Sequence, residues 1–292
     1  MPSPKHSSLH SKVVDVHRSI TLLGTSGVGK TTLSHTLIDS GWFHYSGDYR
    51  IATQYLYDEI NHWLEEVARQ QPLLASLFNA QALTMQAHIT ADNLRALSAF
   101  IGKLGKDGHD YTTFTARQRL FAAAEKRAML DFATLRAQAA EQGDYCGFIN
   151  DAGGSLVEYI DDEPLMDFIC SQTLPVYIHA DDSLSEELKD RAIAYPKPMC
   201  YDPQFLEQMI EGFKSESGMA EANDFEADAF LRFVTPQMLQ HRQQRFNQLL
   251  ARAGVQLEAR EVWLVRDGAD FDELLARACA EQGRSHAFSS AS

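Results

Sequence analysis

Apolar and polar positions change period repeatedly along the chain. Residues 19–23, Ser-Ile-Thr-Leu-Leu, form a short β-rich run closed by Gly24, which predicts a first strand. Residues 31–40 switch to helical spacing, with Leu33, Leu37 and Ile38 on one face. Gly41 is placed to end that helix, and 42–45 predict a second strand. From about residue 52 to 140 the spacing is helical, with runs at 61–68, 72–82, 91–104 and 115–138. Gly102, Gly105 and Gly108 interrupt this block. Strand patterns return at 145–150, 174–179 and 261–265. Helical runs at 163–170, 184–194, 203–213 and 236–253 accompany them. The acidic stretch 214–228 predicts a loop.

Strands alternating with helices predict a three-layer α/β fold, a mostly parallel sheet flanked by helices. The expected organisation is a flexible lead-in at 1–17, a core formed by 18–51 and 141–282, and a flexible tail at 283–292. A large helical insertion at 52–140 would form an acceptor-binding or lid region.

One segment carries specific chemistry. Gly24-Thr25-Ser26-Gly27-Val28-Gly29-Lys30-Thr31 fits G-x-x-x-x-G-K-[ST] at every position, and Thr32 follows it. Glycines let successive backbone N–H groups turn inward on phosphate oxygens. The helix that follows adds its positive N-terminal end. Lys30 brings a charge to the β and γ phosphates, and the Thr31 hydroxyl is a ligand for Mg²⁺. With a strand before it and an amphipathic helix after it, the match predicts a nucleoside triphosphate site. No N-K-x-D guanine signature occurs, so Mg-ATP is expected.

Composition narrows the class. Of 292 residues, 45% are hydrophobic, enough to bury a sizeable core. A net charge of −14 argues against general nucleic-acid binding. No apolar run is long enough for a membrane span, and residues 1–12 lack the apolar stretch of a secretory signal. A cytoplasmic location is expected. Cys146, Cys170, Cys200 and Cys279 lack metal spacing and read as reduced, mostly buried thiols.

At this point the chain resembles the P-loop kinases of small molecules, which include shikimate kinase and the nucleoside monophosphate kinases. His44-Tyr45-Ser46-Gly47-Asp48-Tyr49-Arg50-Ile51 is similar to their F-x-D-x-D-x-x-I segment, with Ser46 in place of the first acid. The resemblance implies that Asp48 orients or deprotonates an acceptor and that Arg50 lies beside it. A carboxylate capping the next helix is the alternative for Asp48. A strand ending in Asp151 could hold Mg²⁺, and Gly153-Gly154 looks like the glycine run lining the acceptor site. A lid-like segment, 191–198, implies Arg191 and Lys197 closing on the transferring phosphoryl group, although both could be solvated surface charges. Late in the chain, Arg242 and Arg245 share a helix face, and the resemblance places Arg245 near the acceptor. Within 52–140, Arg117, Arg119 and Arg127 are candidates to meet an anionic acceptor. The chain also resembles bacterial P-loop ATPases that share 44–51 and 150–155.

The implied activity is transfer of the γ-phosphate to a small-molecule acceptor, with Lys30, Asp48, Arg191 and Lys197 catalytic. Two other readings stand beside it. One is an ATPase or nucleotide-dependent switch that engages a protein partner through 52–140. The other is a non-catalytic nucleotide-binding module, against which the intact Lys30 and Thr31 argue.

Overall fold

Five short parallel strands explain where the chain's apolar residues go. In the computed structural model, which describes residues 18–143 and 145–284, the strands are β1 (Ser19–Leu23), β2 (Trp42–Ser46), β3 (Gly147–Asp151), β4 (Leu174–His179) and β5 (Val255–Glu258). They align in the order β2-β3-β1-β4-β5, with every pairing parallel. Central β1 is buried at all five positions, as a strand covered on both faces must be. Successive side chains alternate faces: Leu23, Tyr45, Phe148 and Tyr177 enter one core, and Leu22, Ile149, Val176 and Ile178 the other.

The helices follow in chain order. The first half carries α1 (Lys30–Asp39), α2 (Gly47–Arg50), α3 (Tyr57–Arg69), α4 (Pro72–Asn79), α5 (Arg95–Ile101) and α6 (Tyr111–Gln142). A π-helical stretch, Ile51–Tyr55, links α2 to α3. The second half carries α7 (Glu163–Gln172), α8 (Asp182–Ala194), α9 (Pro203–Ser217), α10 (Ala227–Arg252), α11 (Ala259–Val262) and α12 (Gly268–Glu281). Helices α1, α8 and α12 cover one sheet face through Leu33, Leu37, Leu184, Leu188 and Phe271. On the other face lie α6 and the end of α10, through Phe132 and Phe246. The arrangement is a three-layer α/β fold, a parallel sheet with helices on both faces.

Two helices tie the sheet to a third core that contains no strand residue. Helix α6 starts where Asp110 accepts from the Thr113 N–H at 3.0 Å, an N-cap. Its 32 residues run about 48 Å at 1.5 Å per residue. Phe114 at its start joins Leu104, Phe205, Phe225 and Phe230 in the third core, whereas Phe132 stacks on Phe148 of β3 at 5.9 Å. Helix α10 makes the same span, with Phe230 and Met238 in the third core and Phe246 and Leu249 in the sheet core. The expected boundaries at 51/52 and 140/141 therefore fall inside continuous helical backbone.

Three expectations are corrected. Residues 261–265 do not form a strand: Trp263 N–H donates to Ala259 O at 3.0 Å and Leu264 is 75% exposed. The edge strand is 255–258, whose Val-Gln-Leu-Glu alternation buries only Val255 and Leu257. The late helix begins at Ala227 and not at Pro236, which lies inside it; around the proline Thr235 Oγ1 donates to Leu231 O and Gln237 Nε2 to Phe233 O, at 2.7 and 2.6 Å. Helix α9 also runs into the expected loop, to Ser217. The lead-in 1–17 and the tail beyond 284 lie outside the described residues. Among the described residues the four cysteines are unpaired and Cys146 is exposed. No helix there is long and apolar enough to cross a membrane.

Candidate functional site

The phosphate loop joins the C-terminal end of β1 to the N-terminus of α1. Its backbone takes positive φ at Gly24, Gly27 and Gly29. At Gly27 φ is +96°, which disfavours a side chain, and a Cβ would stand 1.8 Å from Arg191 Nη2, so that guanidinium would have to move. Lys30 folds back along the loop and donates from Nζ to Gly24 O at 2.6 Å and Thr25 O at 3.3 Å. Burial lowers the Lys30 pKa, and the negative charges of Asp151 and Asp48 act against that shift. On the outer side, Trp263 Nε1 donates to Val28 O at 2.8 Å.

A cavity of about 1000 Å³ opens from this loop. Of the candidates, it brings together every loop residue from Gly24 to Thr32 except Val28, along with Asp48, Asp151, Gly153, Gly154, Arg191 and Lys197. Val28 is fully buried and packs under the sheet. Asp151 ends β3 beside Ser46 of β2, with its Oδ2 3.3 Å from His44 Nε2. Arg191 reaches from α8 to Ser26 O at 3.5 Å.

The local fold frees Asp48 for the cavity. Ser46, which stands where the resembling kinases have an acid, caps α2 by accepting from Tyr49 N–H at 3.3 Å. The capping alternative for Asp48 is thereby excluded. Burial raises the Asp48 pKa, Asp151 raises it further, and Lys30 opposes both.

Three acceptor candidates do not reach the cavity. Arg50 turns towards α6 and grips Asp131 Oδ2 through Nε at 2.7 Å and Nη2 at 2.5 Å. Arg119 lies exposed on α6. Arg245 is spent on Asp161 Oδ2 at 3.1 Å. Two further arginines are also occupied elsewhere. Arg117 donates to Phe100 O at 2.6 Å, and Arg127 lies over the Tyr55 ring.

Besides Arg191, Arg242 lines the cavity. Its Nε donates to Glu158 Oε1 at 2.7 Å and its Nη2 to Cys200 O at 2.8 Å. Nη1 remains, 3.3 Å from where a Cβ on Gly154 would stand. Glu158 also meets His241 Nε2 at 3.0 Å, so one buried carboxylate fixes two neighbouring bases. Sequence spacing placed Arg242 and Arg245 on one face, but only the location of Glu158 separates their roles.

Glu125, on α6, escaped the sequence reading because nothing around it resembles a motif. It is fully buried and accepts from Ser155 Oγ at 2.7 Å and Tyr159 OH at 2.9 Å. Burial pushes its pKa up to about 8; the Ser155 hydrogen bond opposes this and the charge of Asp48 adds to it.

The donor set fits Mg²⁺. The Thr31 hydroxyl and the Asp151 carboxylate supply hard oxygens to one cavity. Mg²⁺ is ordinarily held by one or two carboxylates with phosphates and water, and seldom by an all-protein cage. Among the described residues no group of three or more His, Cys, Asp or Glu forms such a cage.

The sequence matches no protein-family model and no curated protein. Among solved structures it is similar to shikimate kinase from Bacteroides thetaiotaomicron, with a TM-score of 0.39 and 15% identity over 91% of this chain and 98% of that chain.

Proposed function

We propose that the protein is a phosphotransferase that moves the γ-phosphate of Mg-ATP to a hydroxyl on a small-molecule acceptor. The observation that carries this reading is one continuous cavity, lined by the phosphate loop at one end and by Asp48 and Gly153-Gly154 beside a deeper recess. The loop N–H groups and Lys30 hold the phosphates. Thr31 and Asp151 hold Mg²⁺, which when bound supplies charge neutralisation at the phosphate oxygens. Asp48, its pKa raised, orients the acceptor hydroxyl and takes its proton. Arg191 and Lys197 close over the site from α8 and the segment after it, and Arg242 adds a fixed cation beside Gly154. Together they stabilise the charge spread over the transferring group and exclude water.

ADP release by the purified protein tests this reading, measured with ATP and Mg²⁺ alone and then with a panel of hydroxylated metabolites. Acceptor-dependent release is expected, and Lys30→Ala abolishes it. Release at the same rate with and without every acceptor would establish hydrolysis as the activity.

A further inference from the structure

We infer that the acceptor is a neutral alcohol with a predominantly apolar body, bound in the recess between α5, α6 and α10. This inference rests on the phosphotransferase reading and names the substrate class of that same site.

Beyond Asp48 the cavity wall changes character. Leu94, Leu97 and Ile101 face it from α5, Phe121 from α6, and Met238 and Leu239 from α10. Leu97, Ile101, Phe121 and Met238 are each no more than 6% exposed, so this wall of the cavity is apolar and withdrawn from solvent. An apolar recess with a few polar groups is the usual form of a site for a small apolar ligand. Met238 is unbranched and polarizable, and can adapt to the shape of a ring or chain.

The charges point the same way. An anionic acceptor requires a cation of its own; Lys30, Arg191 and Lys197 line the cavity but are assigned above to the phosphates, and none of Arg50, Arg117, Arg119, Arg127 and Arg245 lines it. Arg242 does, but two of its nitrogens are taken by Glu158 and Cys200 O and the third lies on the loop side at Gly154. The acids Asp48 and Asp92 also line the cavity, and they repel a carboxylate or phosphate ester. Ser98 and Thr235 also line the cavity and give neutral polar contacts, suited to a molecule with one or two hydroxyls.

Calorimetric titration of the full chain tests the inference in the presence of ADP and Mg²⁺. The probes are cyclohexylmethanol, 2-phenylethanol and 1-naphthylmethanol, with 3-phenyllactate as the carboxylated counterpart of 2-phenylethanol. At least one neutral alcohol is expected to bind at one site per chain. Phenyllactate is expected to bind at least tenfold more weakly than 2-phenylethanol. Leu239→Asp and Leu94→Asp, at half-buried wall positions, are each expected to weaken alcohol binding at least tenfold, with melting temperature and ATP affinity read alongside to report folding. Equal or tighter binding of phenyllactate, no binding of any alcohol, or no effect of either folded variant overturns the inference. ADP release separates the two readings. Alcohol binding without acceptor-dependent release by any compound removes the phosphotransferase reading and leaves the recess assignment standing. Release driven only by carboxylated or phosphorylated compounds does the reverse.

Discussion

Asp48 Oδ1 and Glu125 Oε1 crowd the same face of Gly153, at 2.9 and 3.3 Å from the point a Cβ would occupy. Two acids thus share one small volume, one lining the cavity and one sealed behind it. Burial, with the charge of Asp48 adding to it, keeps Glu125 protonated well above the ordinary carboxylate value of 4.5, up to about 8. The folded state therefore binds this proton more tightly than the unfolded chain. The resulting stability is complete below pH 4.5 and is lost as the pH rises to about 8. Glu125→Gln carries no such proton. Between pH 4.5 and 9 the variant is expected to gain on the parent by a few kcal/mol, since each pKa unit is worth ~1.4 kcal/mol. Denaturant melts across that range measure the gap, and a constant difference between the two proteins would refute the assignment.

Gly153→Ala tests the same crowding from the backbone side. Gly153 has φ of −59°, which any residue can adopt, so the whole effect is steric. The added methyl displaces the Asp48 carboxyl. A displacement of about 1 Å at a reacting group costs on the order of 10²-fold in rate. The expected outcome is a fall in kcat of that order with ATP affinity retained. Loss of ATP binding in place of turnover would contradict the position given to Asp48.

Arg242 and Arg245 lie three residues apart on α10 and are predicted to behave differently. Arg242→Ala removes the cavity cation, and loss of one such charge-stabilising group costs about 10²–10³ in kcat. It also strips Glu158 of its closest partner, and breaking a buried pair typically costs about 3–5 kcal/mol. Arg245→Ala is expected to leave kcat within a few-fold of the parent. Arg119→Ala, on the exposed face of α6, is expected to stay within about 0.5 kcal/mol in stability and to be silent in turnover. Steady-state kinetics with melting curves for all three variants make the comparison.

Gly27→Ala places a methyl where Arg191 Nη2 now sits, on backbone at φ +96°. Strain of this kind costs about 1–3 kcal/mol, and Arg191 must leave the loop. Weaker nucleotide binding and lower turnover are expected together. Gly41→Ala, also at positive φ but with Cys146 Sγ 3.7 Å away as its nearest neighbour, carries the backbone cost without displacing a site residue. It serves as the control in a nucleotide titration.

The phosphate loop and the parallel sheet were legible because each rests on local spacing. Gly24 to Thr31 sets glycines, one lysine and one threonine hydroxyl at fixed offsets, and Ile20, Leu22 and Leu23 give 19–23 the apolar signal of a buried central strand. The edge strand was not legible. Val255-Gln256-Leu257-Glu258 has two buried positions, whereas Val262, Leu264 and Val265 nearby give a stronger apolar signal without entering the sheet. Arginine roles were not legible either. Asp131 claims Arg50 and Asp161 claims Arg245 across more than eighty residues of chain, and such partnerships leave no trace in spacing. Glu125 was hidden for a related reason, since its environment is assembled by Ser155 and Tyr159 from the next crossover.

Helix α10 is one uninterrupted rod from the strand-free core to the sheet. Met238 and Leu239 on it line the recess, and Arg242, one turn further, stands beside Gly154. If the acceptor seats against Met238 and Leu239 as proposed, a molecule that displaces the helix there would displace Arg242 with it. Discrimination between acceptors would then register in kcat as well as in KM.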